Sequence, residues 1–291
     1  MTYYQFIHEV EVKVKEGVKE NTTVYIRSAV KNNGTTRQGL TIAETGLNIF
    51  PTIYLEEYYQ QFQEGSSVEN IAGDILRLYG EVRFKRSFES ESITDYEKVK
   101  KKIVYRLVNQ EANKDLLKEI PYEAYLDMAI VFYVLLEVNT YGMASMLIKD
   151  EHLAMWNVTA EEICRRAYEN TGKLLPYELK TMKAVIQELT DTESEDKEDV
   201  MYVLSNRSRS YGAAAILYKG RLEGIGEYLE EDYYVLPSSV HEVIIIPQSA
   251  APGQEELSDL VTEINTTQVD AEEVLSNHAY YYDRKKKKLL M

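Results

Sequence analysis

Apolar residues along this chain recur with two different periods, and the switches between the periods predict its elements. Tyr3, Phe6, Ile7, Val10, Val14 and Val18 fall at helical spacing, while Val10, Val12 and Val14 alternate as in a strand. The helical stripe is the longer, so the segment is predicted as helix. Val24 to Val30 and Gly39 to Ile42 then flank Asn32-Asn33-Gly34. An Asn-Gly pair tolerates the positive φ angles of a tight reversal, so this is a predicted hairpin. Asn48 to Tyr54 reads as a third strand and Leu55 to Gln63 as a helix; Ser66 and Glu69 have capping-box spacing and open another helix. The polar stretch Arg83 to Ser92 is the predicted boundary between an N-terminal α+β lobe, residues 1–90, and a main α+β domain, residues 91–291.

In the main domain Thr94 and Glu97 suggest a second capping box, opening a helix with the stripe Val99, Ile103, Val104, Leu107 and Val108. After Pro121 a strand-strand-helix order emerges. Met128 to Leu136 is an apolar strand, Asn139 to Gly142 a turn and Met143 to Ile148 the return strand, with helices at Glu151 to Trp156 and from a cap at Thr159. Leu179, Met182, Val185, Ile186 and Leu189 form a further helical stripe before the acidic loop 190–199. The order recurs as strand Met201 to Leu204, turn Ser205 to Ser210, return Ala213 to Tyr218 and helix Arg221 to Glu230. It recurs again as Tyr233 to Leu236, the turn Pro237-Ser238-Ser239, Glu242 to Ile246 and the helix Glu255 to Asn265, and Ala279 to Tyr282 and Leu289 to Met291 close the chain. No fixed period links these units, so they are a recurring topology and not a repeat array. The predicted fold class is α+β: a mostly antiparallel sheet built from strand-strand-helix units, with helices packed against it.

Composition narrows the setting. The 291 residues carry 33 Lys and Arg against 48 Asp and Glu, a net charge of -15, which disfavours nucleic acid as a default partner. A single cysteine, Cys164, excludes a disulfide framework and points to a reducing compartment. The first residues lack a basic, then apolar, leader, and the longest apolar run, Met128 to Leu136, is far short of the ~20 residues of a spanning helix. A soluble, acidic, cytoplasmic protein with no membrane association is expected. Tyrosines number 24 against 6 phenylalanines, which suits half-buried, contact-rich surfaces.

Several segments together carry a resemblance over nearly the whole chain. They are Lys31-Asn32-Asn33-Gly34, Gly39-Leu40-Thr41-Ile42 and Pro51-Thr52-Ile53-Tyr54-Leu55; Leu204-Ser205-Asn206-Arg207 with Tyr211-Gly212-Ala213-Ala214; and Leu236-Pro237-Ser238-Ser239-Val240-His241-Glu242-Val243, followed by Asn265, Thr267-Gln268-Val269 and Glu272-Glu273-Val274-Leu275-Ser276. The sequence resembles a family of bacterial proteins that carry one domain of unknown function. It departs from the family around Asn139 to Ala144, where a more glycine-rich turn is expected. The resemblance implies a bacterial, cytoplasmic protein and brings no chemistry with it.

Candidate chemistry is sparse. His8, His152, His241 and His278 pair with no second ligand at metal-binding spacing, so no metal and no cofactor is expected. Cys164 sits beside Arg165 and Arg166, but its position in an amphipathic helix reads as a structural thiol. The glycines of Gly220 to Gly226 do not make a dinucleotide motif. Ser238, Ser239, His241 and Glu242 suggest a Ser-His-acid hydrolase, yet the nucleophile elbow is absent and the residues crowd one segment. The richest stretch is Ser205-Asn206-Arg207-Ser208-Arg209-Ser210-Tyr211-Gly212. Its candidate ligand-binding residues are Ser205, Asn206, Arg207, Arg209 and Tyr211, because guanidiniums with hydroxyls suit a carboxylate or phosphate. The competing reading pairs these arginines with the protein's own carboxylates. If strands and helices alternate direction, the turns at Ser205 and Ser238 lie at opposite ends of the sheet, and the Asn139 to Gly142 turn joins the Ser205 end. The basic run Arg284 to Lys288 reads as a solvated hairpin tip. Three functions remain: a non-catalytic interaction or regulatory protein with a protein partner, an enzyme or sensor for a small anionic ligand at the Ser205 turn, and a nucleic-acid-associated protein using the basic tail.

Overall fold

A computed structural model describes residues 1–46, 50–83, 93–139, 142–190 and 200–291. The chain divides into two compact units, Met1–Thr94 and Asp95–Met291. The expected boundary stretch falls largely on residues 84–92, outside the described residues, as do the acidic run 191–199, the start of the expected third strand and the tip of the Asn139 to Gly142 turn.

The first unit opens with helix α1 (Tyr3–Gly17). Thr2 Oγ1 accepts the Gln5 N–H and Gln5 Oε1 accepts the Thr2 N–H, a reciprocal cap that satisfies two otherwise orphaned donors. Its stripe Phe6, Val10 and Val14 is fully buried, whereas Val12, which strand alternation would have buried, is exposed. Strands β1 (Thr22–Val30), β2 (Thr36–Glu44) and β3 (Thr52–Tyr54) form an antiparallel sheet in that order. The reversal at Asn32–Gly34 places Asn33 and Gly34 at φ 57° and 69°, as the Asn-Gly pair predicts. Helices α2 (Glu56–Gln63) and α3 (Val68–Val82) follow; Ser67, one residue beyond the expected Ser66, caps α3 by accepting the Asn70 N–H. Ile71 and Ile75 of α3 close a core with Phe6, Leu40, Ile42 and Leu55.

The second unit is α+β, and all its paired strands are antiparallel. After a one-turn helix α4 (Tyr96–Val99), capped by Asp95, strands β4 (Ile103–Asn109), β5 (Tyr122–Tyr125), β6 (Met128–Asn139) and β7 (Gly142–Leu147) form one sheet. Helices α5 (Asp150–Trp156) and α6 (Ala160–Leu174) follow. The second sheet is β13-β12-β10-β11-β9-β8, made of β8 (Tyr177–Thr181), β9 (Tyr202–Asn206), β10 (Tyr233–Leu236), β11 (Val243–Pro247), β12 (Tyr280–Asp283) and β13 (Lys288–Leu290). Helices α7 (Met182–Thr190), α8 (Arg221–Leu229) and α9 (Gln254–Thr267) accompany it. Tyr105 and Phe132 of the first sheet share one buried cluster with Leu204, Tyr233, Val243 and Tyr280 of the second.

Three sequence expectations are corrected here. The stripe Val99 to Val108 is not one helix, because Ile103 to Val108 form β4. Every one of these six residues is buried, with Ile103, Tyr105 and Leu107 in the large cluster and Val104 and Val108 in two smaller ones. A segment buried on both faces loses the alternation that marks a strand. Leu179 likewise belongs to β8, and helix starts only at Met182. Finally, Ala213 to Tyr218 is no return strand. Gly212–Leu217 forms a 3-10 helix whose residues Gly212 to Ile216 are all buried, small side chains letting a helical turn sit where a strand would not fit.

Side chains close the outer edge of β4. Thr171 Oγ1 on α6 accepts the Tyr105 N–H at 3.1 Å, and Asn170 Nδ2 donates to the Ile103 carbonyl at 3.1 Å. A strand edge left open is a template for pairing, so such caps remove a hazard as well as satisfying backbone groups.

Candidate functional site

The loss of the return strand relocates the site. With β9 and β11 antiparallel neighbours, Val243 opposite Leu204, the end of β9 lies beside the start of β11. The Ser205 turn and the Ser239–Glu242 segment are therefore in contact, which overturns the expectation that they occupy opposite ends. Ser205 Oγ donates to the His241 carbonyl at 2.7 Å, and the Tyr211 N–H donates to His241 Nδ1 at 3.2 Å. The Tyr211 and His241 rings lie 5.4 Å apart.

The turn binds itself closely. Asn206, 1% exposed, donates from Nδ2 to the Ser210 carbonyl at 2.8 Å, and its own carbonyl accepts the Arg209 N–H at 2.9 Å. Arg209 and Tyr211 both have left-handed backbones, φ 47° and 52°. For such side chains this costs roughly 1–2 kcal/mol each and persists only where the surroundings dictate it. Gly212 is required for a different reason. A Cβ there would lie 2.1 Å from Ser205 Oγ, 2.5 Å from the Asn206 nitrogen and 2.6 Å from the His241 oxygen. The glycine lets three segments touch.

Of the two guanidiniums predicted to hold an anion, Arg209 is committed to the protein's own carboxylates: it pairs with Glu188 on α7 and lies 3.7 Å from Glu178 on β8. Hydrogen bonds from Lys180 and then Arg209 hold the Glu188 carboxyl below its ordinary value. Arg207 is exposed; its N–H donates to the Pro176 carbonyl at 2.9 Å, and its side chain has no ion pair among the described residues.

The hydrolase reading fails on geometry. His241 Nδ1 accepts from Tyr211 and Nε2 faces Glu273 Oε1 at 3.2 Å, so both ring nitrogens are engaged and neither faces a serine hydroxyl. Ser239 Oγ accepts the backbone N–H of His241 at 3.0 Å. The carboxylate facing the ring comes from Glu273, 32 residues along the chain, and not from the adjacent Glu242. Glu242 is itself partly buried. Burial foremost, with repulsion from Glu273 behind it, raises its carboxyl above the ordinary value, while His241 and then Arg209 oppose.

Sequence reasoning missed Arg106. On β4 it is 4% exposed, held between the Tyr211 ring at 3.9 Å and the Tyr133 ring at 4.1 Å, and it donates to Ser145 Oγ at 2.7 Å. Its Nε has no hydrogen-bond partner, and among the described residues no carboxylate pairs with it. The cation–π contacts offset part of the cost of burying a guanidinium, each contributing up to about 2 kcal/mol when water is excluded. A lone polar residue in an apolar strand was the available signal, and it is a weak one.

The remaining candidates have structural tasks. Cys164 donates from Sγ to Glu123 at 3.1 Å; burial foremost, then Glu123, pushes its thiol up to about 12. That suppresses the thiolate, the nucleophilic form. His152 accepts the Lys149 N–H at 2.9 Å and stacks on Trp156. The basic run Arg284 to Lys288 turns between β12 and β13: Lys286 pairs with Asp283, Lys287 with Glu223, and Arg284 with the Glu230 carbonyl. Arg284, Lys285 and Lys287 share an open depression of 460 Å³ with Glu223, Glu227, Glu231 and Asp232, a surface of both signs.

Among the described residues no cluster of three or more His, Cys, Asp or Glu could hold a metal ion, and no helix is long and apolar enough to cross a membrane. Comparison with known families adds one finding. Residues 3–284 match the model of a family of unknown function, DUF5688. The chain belongs to that family. No curated protein and no solved structure matches it.

Proposed function

We propose that this member of DUF5688 works by binding and not by catalysis, as an interaction or regulatory protein with a protein partner in a reducing, cytoplasmic, bacterial setting. The observation that carries the reading is the commitment of the polar turn to internal bonds. Ser205 holds the His241 carbonyl, Asn206 holds Ser210, Arg209 holds Glu188, and His241 has both ring nitrogens engaged. A catalytic group must be within reach of a substrate proton or electrophile. These groups face each other.

A second reading rests on Arg106, whose buried guanidinium has an unpartnered Nε behind Tyr211. A small carboxylate or phosphate reaching it would neutralise a charge that the described residues leave uncompensated. One experiment separates the two readings. Thermal-shift measurements with a panel of anionic metabolites compare wild type, Arg207→Ala/Arg209→Ala and Arg106→Met. The binding-protein reading expects no metabolite whose stabilisation depends on any of these arginines. A shift retained in the double variant and lost in Arg106→Met would replace it with an anion sensor or enzyme built on Arg106.

A further inference from the structure

We propose that β8 pairs antiparallel with β8 of a second copy of this chain, about a two-fold axis at Leu179, making one sheet continuous across two molecules. The argument begins with where backbone groups point. The Arg207 N–H donates to the Pro176 carbonyl and the Met182 N–H to the Met201 carbonyl, both at 2.9 Å, in the register that pairs Glu178 with Ser205 and Lys180 with Val203. Groups alternate sides along an antiparallel strand, so even-numbered positions of β8 bond β9 and odd-numbered positions face outward. β8 is the last strand of its sheet, and among the described residues nothing bonds the backbone of Tyr177 or Leu179 on that outer side. The contrast with β4 is direct, since Asn170 and Thr171 close that edge.

Charge identifies the occupant. The strand reads Tyr177-Glu178-Leu179-Lys180-Thr181. Pairing it antiparallel with itself about Leu179 sets Glu178 of each copy opposite Lys180 of the other, two attractive cross-strand pairs in the closer, non-hydrogen-bonded register. Leu179 faces Leu179 and exchanges both backbone bonds, while the Thr181 N–H of each copy reaches the Tyr177 carbonyl of the other. A parallel partner, or a shift of one residue, loses this match. A two-fold axis makes such a contact self-complementary and closed. Apolar surface accompanies it: Ile186 and Leu189 on α7 are 46% and 74% exposed, on the helix whose Glu188 bonds Lys180 at 2.7 Å. A lysine on an edge strand can also serve to block pairing, and the test distinguishes the two roles.

Sedimentation velocity on the full chain, over a dilution series from submillimolar to low micromolar, reads the association. Wild type is expected to reach twice the monomer mass. Leu179→Pro deletes an outward N–H and leaves the bonds to β9 in place, so it is expected to stay monomeric while still folded, with a cooperative fluorescence-monitored unfolding transition whose midpoint falls only by the packing that the Leu179 side chain gives the core. Lys180→Glu turns both cross-strand pairs repulsive and raises the dissociation constant roughly tenfold. Glu178→Lys/Lys180→Glu restores the dimer. A wild type that is monomeric throughout, or a folded Leu179→Pro that still dimerises, overturns the proposal. Should Leu179→Pro not fold, the charge variants decide: failure of the exchanged pair to recover dimerisation overturns it equally.

Discussion

Gly212→Ala tests whether the site is held by close approach at its centre. Gly212 does not occupy the left-handed region, so alanine meets no backbone penalty there and the cost is steric. The added Cβ would lie 2.1 Å from Ser205 Oγ, which can rotate only by abandoning the His241 carbonyl. The contacts at 2.5 Å with the Asn206 nitrogen and 2.6 Å with the His241 oxygen are to backbone, so residue 212 must back away from the end of β9 and from His241. Overpacking of this kind costs about 1–3 kcal/mol. The lost buried hydrogen bond adds about 1 kcal/mol. Reduced freedom of the unfolded chain returns about 0.4–1 kcal/mol. The net expectation is a loss of about 2–3 kcal/mol, or roughly 5–10 °C in Tm for a unit of this size. Trp156 is the only tryptophan and lies buried in the second unit, so urea unfolding followed by its fluorescence reports on this unit. Adding Ser205→Ala to Gly212→Ala should cost almost nothing further, because the bond is already broken. A loss below about 0.5 kcal/mol would refute the reasoning, since it would mean that the segments yield without strain.

Gly224→Ala should have the opposite sign: it lies inside α8 with no atom within 4 Å of the added Cβ, so the same assay should show a gain of about 0.5–1 kcal/mol, and any loss contradicts the placement. Thr171→Val should cost about 1–3 kcal/mol, because the buried Tyr105 N–H then has no acceptor; an effect near zero would mean that the β4 edge is not closed by this hydroxyl. Native Cys164 should react with a disulfide reagent at about pH 8 roughly thirty- to fiftyfold more slowly than in urea, because a thiol pushed up to about 12 has a much scarcer thiolate whose greater basicity returns only part of the difference; equal rates would refute the burial and Glu123 argument. Glu242 has a raised folded pKa, so its contribution is full below its ordinary value of 4.5 and is lost as pH rises through the folded value. Glu242→Gln should therefore gain on wild type as pH rises above about 4.5, and a pH-independent difference in urea midpoint would count against it.

What the sequence made legible follows from how much each segment depends on its surroundings. α1, the Asn32–Gly34 hairpin and the cap at Thr159 are local: their stripe, turn residues and capping hydroxyl act within a few positions. β4 was misread because it is buried on both faces, which makes its apolar run continuous and its neighbours at three and four residues look helical. The Gly212–Leu217 segment was misread because alanines and an isoleucine fit either state, and the choice lies with the space left beneath the sheet.

That local error propagated into the site. Counting one strand too many sent the Ser205 and Ser239 segments to opposite ends, although antiparallel pairing of β9 with β11 brings them within hydrogen-bonding distance. Glu242 is the acid next to His241 in sequence, and adjacent side chains on an extended chain point apart. Glu273 reaches the ring from 32 positions away, delivered by the segment in which Val274 bridges Ser239. Arg106 is the sharper case. Nothing near it in sequence distinguishes it from a misplaced surface residue; only the convergence of Tyr133, Ser145 and Tyr211 from three other segments gives it an environment. Residue type marks the turn as polar, and the partners that decide what such a turn can do come from elsewhere in the fold. For that reason Arg209, paired with Glu188, is a weaker probe of ligand binding than Arg106, which lies buried without a carboxylate partner among the described residues.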